Sequence, residues 1–239
     1  MSGRTFRTAR APRFAAVDCA TRVSREQADQ LYAAGYRTIF RYLDRVISDP
    51  DVDDRWPINL TRPELADLLD AGLYVSLVQY YSTAYESTDK GKKFSRAYGE
   101  RIGNAAATNA RNLGIPAGVT IWCDLEFCAD ATPEMISDYL DGWSSQVVVV
   151  SPGFDPGMYV GSNLGSHDTG YMTGSALYMR PRFRSYWRAA SIVPQIPNRG
   201  WTAVQGLPIK LFGLELDQNM IALDHRARSD RDRFLVVSP

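Results

Sequence analysis

The sequence predicts an α/β protein: a single (β/α)8 TIM-type barrel whose helices are irregular or missing in the second half. Three observations lead there. The chain has 239 residues, close to the ~250 that such a barrel occupies as one domain. From residue 14 to residue 219, short apolar segments alternate with helix-patterned ones, the order expected of βα units around a parallel sheet. The strand-like segments number eight, as a closed barrel needs.

The first strand is read in FAAVDC (14–19) and the second in RTIFRYL (37–43), with a helix between them. Ser24 and Gln27 have the spacing of a capping box, in which side chains satisfy the orphan amides of the first turn. Thr61 and Glu64 start the next helix the same way, ahead of a third strand in LYVSLVQY (73–80). An Ala-rich stretch from Phe94 to Leu113 supplies the third helix, its small side chains allowing close approach to the sheet. The fourth strand follows in VTIWCD (119–124). Gly35, Gly72 and Gly114 stand where a left-handed residue ends a helix, and Thr132 with Pro133 reads as the start of a fourth.

Further strands are read in GMYVG (157–161), SYWRA (185–189), WTAVQ (201–205) and LELDQ (214–218). Their connections are short and rich in Gly, Pro and aromatic residues, so helices there are expected to be stunted or absent. Residues 14–223 thus form the barrel. Residues 1–13 read as a basic, patternless arm. Residues 224–239, opening with DHRARSDRDR, read as a charged tail packing on or near the barrel, both ends being solvated surface rather than assembly contacts.

Composition narrows the function classes. Hydrophobic residues make up 45% and charged residues 23%, which supports a sizeable core and argues against disorder. Lys+Arg and Asp+Glu both number 27. No global field then draws the chain to nucleic acid or to an anionic membrane, and neither is expected as a partner. Cys123 and Cys128 bracket DLEF, but with two His and three Cys in the chain buried free thiols are expected rather than a zinc site or disulfides. No stretch reaches the ~18 apolar residues of a membrane span. MSGRTFRTARAPRF lacks the apolar run of a secretory signal, so synthesis in the cytoplasm without a signal peptide is expected.

In a parallel barrel, strand C-termini and the loops after them build the active site. Four acids qualify: Asp18 ends strand one, Asp124 ends strand four with Glu126 two residues on, and Asp217 lies near the end of strand eight. Alternation lets Asp124 and Glu126 face the same mouth. A carboxyl group crowded by a second one and partly desolvated stays protonated near neutral pH and serves as a general acid, while its neighbour remains ionised. Such pairs serve glycoside hydrolysis. The competing account places these acids in buried salt bridges with Arg41, Arg188 or Arg37.

Aromatic and amide residues gather at the same predicted mouth, among them Tyr42, Tyr80, Tyr159, Trp187, Trp201 and Gln205. Sugar rings stack on aromatic faces and their hydroxyls need amides and phenols. About half of such residues would be core. Tyr80, Tyr159, Trp187 and Gln205 are the substrate-binding candidates, with Arg41 and Asn219 added. His167 and His225 sit in surface-like contexts, leaving little for a nucleophile–His system. Oxygen ligands of this kind also suit magnesium or calcium, but no spacing motif demands a metal. No metal and no cofactor are expected.

With those residues in place, the chain resembles the glycoside-hydrolase-like domains related to family-25 glycoside hydrolases, the lysozyme or muramidase type. The resemblance runs from about Phe14 to Ile221. It is carried by AAVDCAT, FRYLDR, LTRPELADLLDAGLYVSLVQYY, NLGIPAGVTIWCDLEF, GMYVGS, YWRA and LDQN in that order. It implies Glu126 as general acid, Asp124 as its partner carboxylate, and Asp18 and Asp217 as acids positioning water or substrate. Tyr159, Trp187 and Gln205 would line the substrate. The implied substrate is a β-1,4 bond of bacterial cell-wall peptidoglycan. Strand one departs from the family's lysozymes, reading DCAT where they have a DVS-like string.

Similar domains occur in phage genomes, which implies a lysin released at lysis or a module mounted on a virion beside other virion proteins. The alternative class is a catalytically inactive glycan-binding or virion structural module on the same barrel. A metal-dependent hydrolase using the same acids is the third.

Overall fold

The computed structural model describes residues 6–10, 15–43, 59–80, 94–125, 132–149, 153–160, 183, 185–189, 202–221 and 233–237. Its strands in chain order are β1 Phe6–Arg10, β2 Ala15–Cys19, β3 Thr38–Tyr42, β4 Tyr74–Tyr80, β5 Thr120–Leu125, β6 Asp155–Val160, β7 Ser185–Ala189, β8 Ala203–Leu211, β9 Leu214–Ile221 and β10 Arg233–Val237. The helices are α1 Arg25–Ala33, α2 Arg62–Asp70, α3 Arg96–Leu113 and α4 Pro133–Val149. Strands β2 to β9 follow one another around a closed eight-stranded barrel, β9 pairing back onto β2.

The helices begin and end for the local reasons the sequence suggests. Ser24 and Gln27 form the reciprocal capping box of α1. Thr61 Oγ1 accepts the Glu64 N–H at 3.3 Å, half of the capping box expected there, because the Glu64 side chain turns elsewhere; Thr132 Oγ1 accepts the N–H of Met135 at 3.3 Å. Gly114 takes φ 84° to end α3, a conformation a Cβ would strain. The small residues of α3 serve a different neighbour from the one expected. A Cβ on Gly99 or Gly103 would strike the backbone carbonyl of Tyr139 or Trp143, so they bring α3 onto α4 rather than onto the sheet.

The eighth barrel strand corrects an expectation. Strands β2 through β8 run parallel, but β9 is antiparallel to both its neighbours. The cause is the turn at Phe212 and Gly213, both left-handed with φ 53° and 76°, as the centre of a two-residue hairpin requires. A parallel neighbour needs a crossover of a dozen residues or more. Strand β8 is also longer than WTAVQ. It passes through a bulge, where Gly206 and Leu207 oppose Gln218, and continues from Pro208 to Leu211.

The chain ends correct another. Residues 6–10 are not patternless: β1 pairs antiparallel with β10, Phe6 opposite Val237 through Arg10 opposite Arg233. β10 in turn bridges to β4, Leu235 opposite Val75. That is the stretch of β4 before β5 joins it at Leu77. Five-residue strands paired across nearly the whole chain leave no local periodicity to read.

Two apolar clusters follow from strand alternation. Outward residues such as Val17, Ile39, Val75, Leu77 and Ile121 join the helices in a large outer core. Inward residues, including Ala16, Phe40, Val78, Trp122 and Trp187, fill the barrel. Among the described residues, Cys19 and Cys123 are buried free thiols. Among them too, no helix is long and apolar enough to cross a membrane.

Candidate active site

The polar residues of the mouth stand on the inner face of the barrel, Asp18 and Asp124 near the ends of β2 and β5, and Asp217 and Asn219 within β9. Asp18 follows Ala16 inward on β2 and is 5% exposed. In the antiparallel β2–β9 register it lies directly opposite Asp217. Asp18 Oδ2 accepts Gln205 Nε2 at 2.9 Å and Asn219 Nδ2 at 2.6 Å. Gln205 Nε2 also reaches Asp217 Oδ2 at 3.4 Å, so one amide spans both acids.

Each amide is oriented by an aromatic donor. The Tyr159 hydroxyl donates to Gln205 Oε1, which turns the Nε2 end towards the acids. The Trp187 indole N–H donates to Asn219 Oδ1 at 2.7 Å, which aims Nδ2 at Asp18. Trp187 stacks on Phe40 with centroids 4.5 Å apart and lies 4.2 Å from Tyr159. At 1% and 4% exposure, Trp187 and Tyr159 form the floor beneath the acids. Below them the Trp122 indole donates to Ser76 Oγ at 2.8 Å.

Asp124 ends β5 on the same inner face, buried and in register with Tyr80 on β4 and Tyr159 on β6. The Tyr42 hydroxyl donates to its Oδ2 at 3.4 Å. Asp217 is half-buried, and burial pushes its carboxyl above the ordinary carboxylate range. Glu126 lies outside the described residues, so its side chain is not placed beside that of Asp124. Tyr80 is half-buried against the outer core.

Arg41 does not stand where a substrate-binding residue was expected. Phe40 and Tyr42 point inward, so Arg41 points out through the wall, where it is fully buried and pairs with Glu64 of α2 at 2.8 Å. Arg37 sits over the Tyr32 ring at 4.0 Å. Arg188 alternates to the outer side of β7, where burial lowers its pKa. Asp18 and Asp217 both receive the Gln205 amide.

Sequence reasoning missed Glu64, taken only for a capping residue. Its side chain serves Arg41 and the Val23 N–H instead. A charged residue beside Leu65, Leu68 and Leu69 on the buried face of α2 was the available signal. Among the described residues, no group of three or more His, Cys, Asp or Glu side chains is placed to hold a metal ion.

The uncharacterized protein YbfG of Bacillus subtilis (strain 168) is 34% identical over 170 residues, 68% of this chain and 22% of that protein. The chain therefore spans about a fifth of that relative's length. The fold is similar to the Tat-secreted protein Rv2525c of Mycobacterium tuberculosis, solved with L-tartrate. The TM-score is 0.65 at 18% identity, covering 91% of this chain and all of that one. It is also similar to GHIP, a glycosyl hydrolase 25 of Streptococcus pneumoniae, with TM-score 0.59 at 14% identity and 92% of each chain covered. Residues 29–222 match the model of the Rv2525c-like, glycoside hydrolase-like domain, and the chain belongs to that family.

Proposed function

We propose that this domain is a peptidoglycan-directed glycoside hydrolase of the muramidase kind, working by carboxylate acid–base chemistry at the barrel mouth. One observation carries the reading: Asp18, Asp124 and Asp217, distant in sequence, all line one end of the barrel interior over an aromatic floor. In this reading Glu126 is the general acid and Asp124 supports the positive charge that develops on the sugar. Asp18 and Asp217, spanned by Gln205, hold the reacting water or a substrate hydroxyl. Tyr159 and Trp187 set those amides. The fold likeness to a glycosyl hydrolase 25 supports the choice of reaction class.

The test is release of reducing sugar from purified cell-wall suspensions. Glu126→Gln keeps size and polarity and removes the acid, so turnover is expected to fall about 10²-fold or more. Equal clearing by wild type and Glu126→Gln refutes the assignment.

A second reading, a glycan-binding module without turnover, is favoured by how fully Asp18 is engaged by Gln205 and Asn219 at 5% exposure. It predicts retention on insoluble wall material with no new reducing ends.

A further inference from the structure

Arg41 and Glu64 form an ion pair with no side-chain exposure, and the proposed chemistry makes no use of it. Burying two charges costs so much solvation that a well-packed apolar replacement is often neutral or stabilising. Stability alone therefore does not account for the pair, whereas its other bonds do. The guanidinium grips Glu64 with Nε to Oε1 at 2.8 Å and Nη2 to Oε2 at 3.3 Å. It directs Nη1 to the carbonyl of Cys19, the residue after Asp18. Glu64 Oε1 also accepts the backbone N–H of Val23 at 2.9 Å. Both ends of the link between β2 and α1 thus hang on one buried pair, and its members come from β3 and α2.

We propose that the Arg41–Glu64 pair is a positioning device for Asp18, fixing from behind the barrel wall where β2 ends. This rests on reading Asp18 as part of a working site. The same peptide run that Arg41 holds on the outer side carries, on the inner side, the carboxylate that receives Gln205 and Asn219. Those bonds of 2.9 and 2.6 Å fail once the strand end drifts by about an ångström. A planar fork suits the task because it fixes orientation as well as distance, which a lysine ammonium does not.

Two variants test this. The double variant Arg41→Met with Glu64→Leu removes both charges at similar volume, and Arg41→Lys keeps the charge without the fork. The side-chain amide protons of Asn219 and Gln205, followed by 15N NMR, report their bonds to Asp18 without any assay of turnover. In folded variants whose thermal midpoint stays near wild type, those resonances are expected to shift towards free-amide positions. On wall glycan, kcat is expected to fall about tenfold to a hundredfold with KM little changed.

If the wild type itself releases no sugar, the hydrolase reading fails and the NMR result alone decides the inference. Unshifted amide resonances in a folded variant overturn it, as does a loss of kcat that merely tracks the fraction unfolded. If the double variant does not fold, Arg41→Lys is judged by the same criteria.

Discussion

Asn219→Ala is the most informative single perturbation of the mouth. The side chain is 5% exposed and makes three hydrogen bonds: it accepts from Trp187 Nε1 at 2.7 Å and donates to Asp18 Oδ2 at 2.6 Å and to the Asp217 carbonyl at 3.1 Å. Truncation strands the Trp187 N–H in a barrel interior where its residue is 1% exposed, a penalty of about 1–3 kcal/mol for an unsatisfied buried donor. Loss of a donor to the Asp18 carboxyl adds about 1.5–3 kcal/mol if that group is ionised. The expected destabilisation is therefore about 2.5–6 kcal/mol. For a domain of this size each kcal/mol lowers Tm by about 2–4 °C, so a fall of roughly 5–24 °C is expected. Urea titration of wild type, Asn219→Ala, Trp187→Phe and the double variant closes a cycle. Coupling of about 0.5–3 kcal/mol is expected for residues in contact. A loss below about 1 kcal/mol with additive single effects would show that the Trp187–Asn219–Asp18 chain is not a unit and refute the reasoning.

Two further outcomes follow from the same geometry. Burial raises the Asp217 pKa in the fold, so its contribution to stability is complete below the unfolded value, about 3.9, and is lost as pH rises through the higher folded value. Against Asp217→Asn, the wild type should lose relative stability as pH rises above about 3.9, measured as Tm at each pH; a difference that does not change with pH would contradict this. Phe212 holds a left-handed φ of 53° at the hairpin tip, a conformation that costs an ordinary residue about 1–2 kcal/mol. Phe212→Asn should therefore stabilise by roughly 0.5–1 kcal/mol in denaturant titration, less any packing of a ring that is 39% exposed.

The barrel was legible because its signals are local. Eight apolar segments, the caps at Ser24 and Thr61, and the glycines after α1, α2 and α3 each act within a few residues. The direction of β9 was not legible, since Phe–Gly stands where Asn–Gly would announce a tight hairpin. Gly206 and Pro208 likewise read as breakers although they sit in and beside a bulge. Asp18 and Asp124 were legible as inward acids at strand ends, whereas Asp217 lies within β9 and is brought level with Asp18 by the antiparallel register. The wiring of the mouth was not legible, because Gln205 and Asn219 become partners of Asp18 only when strands about 200 residues apart are laid side by side. Arg41 was misplaced for want of one step: with Phe40 and Tyr42 inward, alternation alone turns it to the other side of the wall.

The strand pair at the base of the barrel has a consequence for biosynthesis. Since β10 is translated long after β4, the first residues of β4 leave the ribosome with one backbone edge uncovered and keep it so through most of elongation. Open edges of this kind recruit other chains, and late long-range pairing prolongs their exposure. A nascent chain halted before Arg233 is therefore expected to be the aggregation-prone species, whatever the state of the acids at the opposite end.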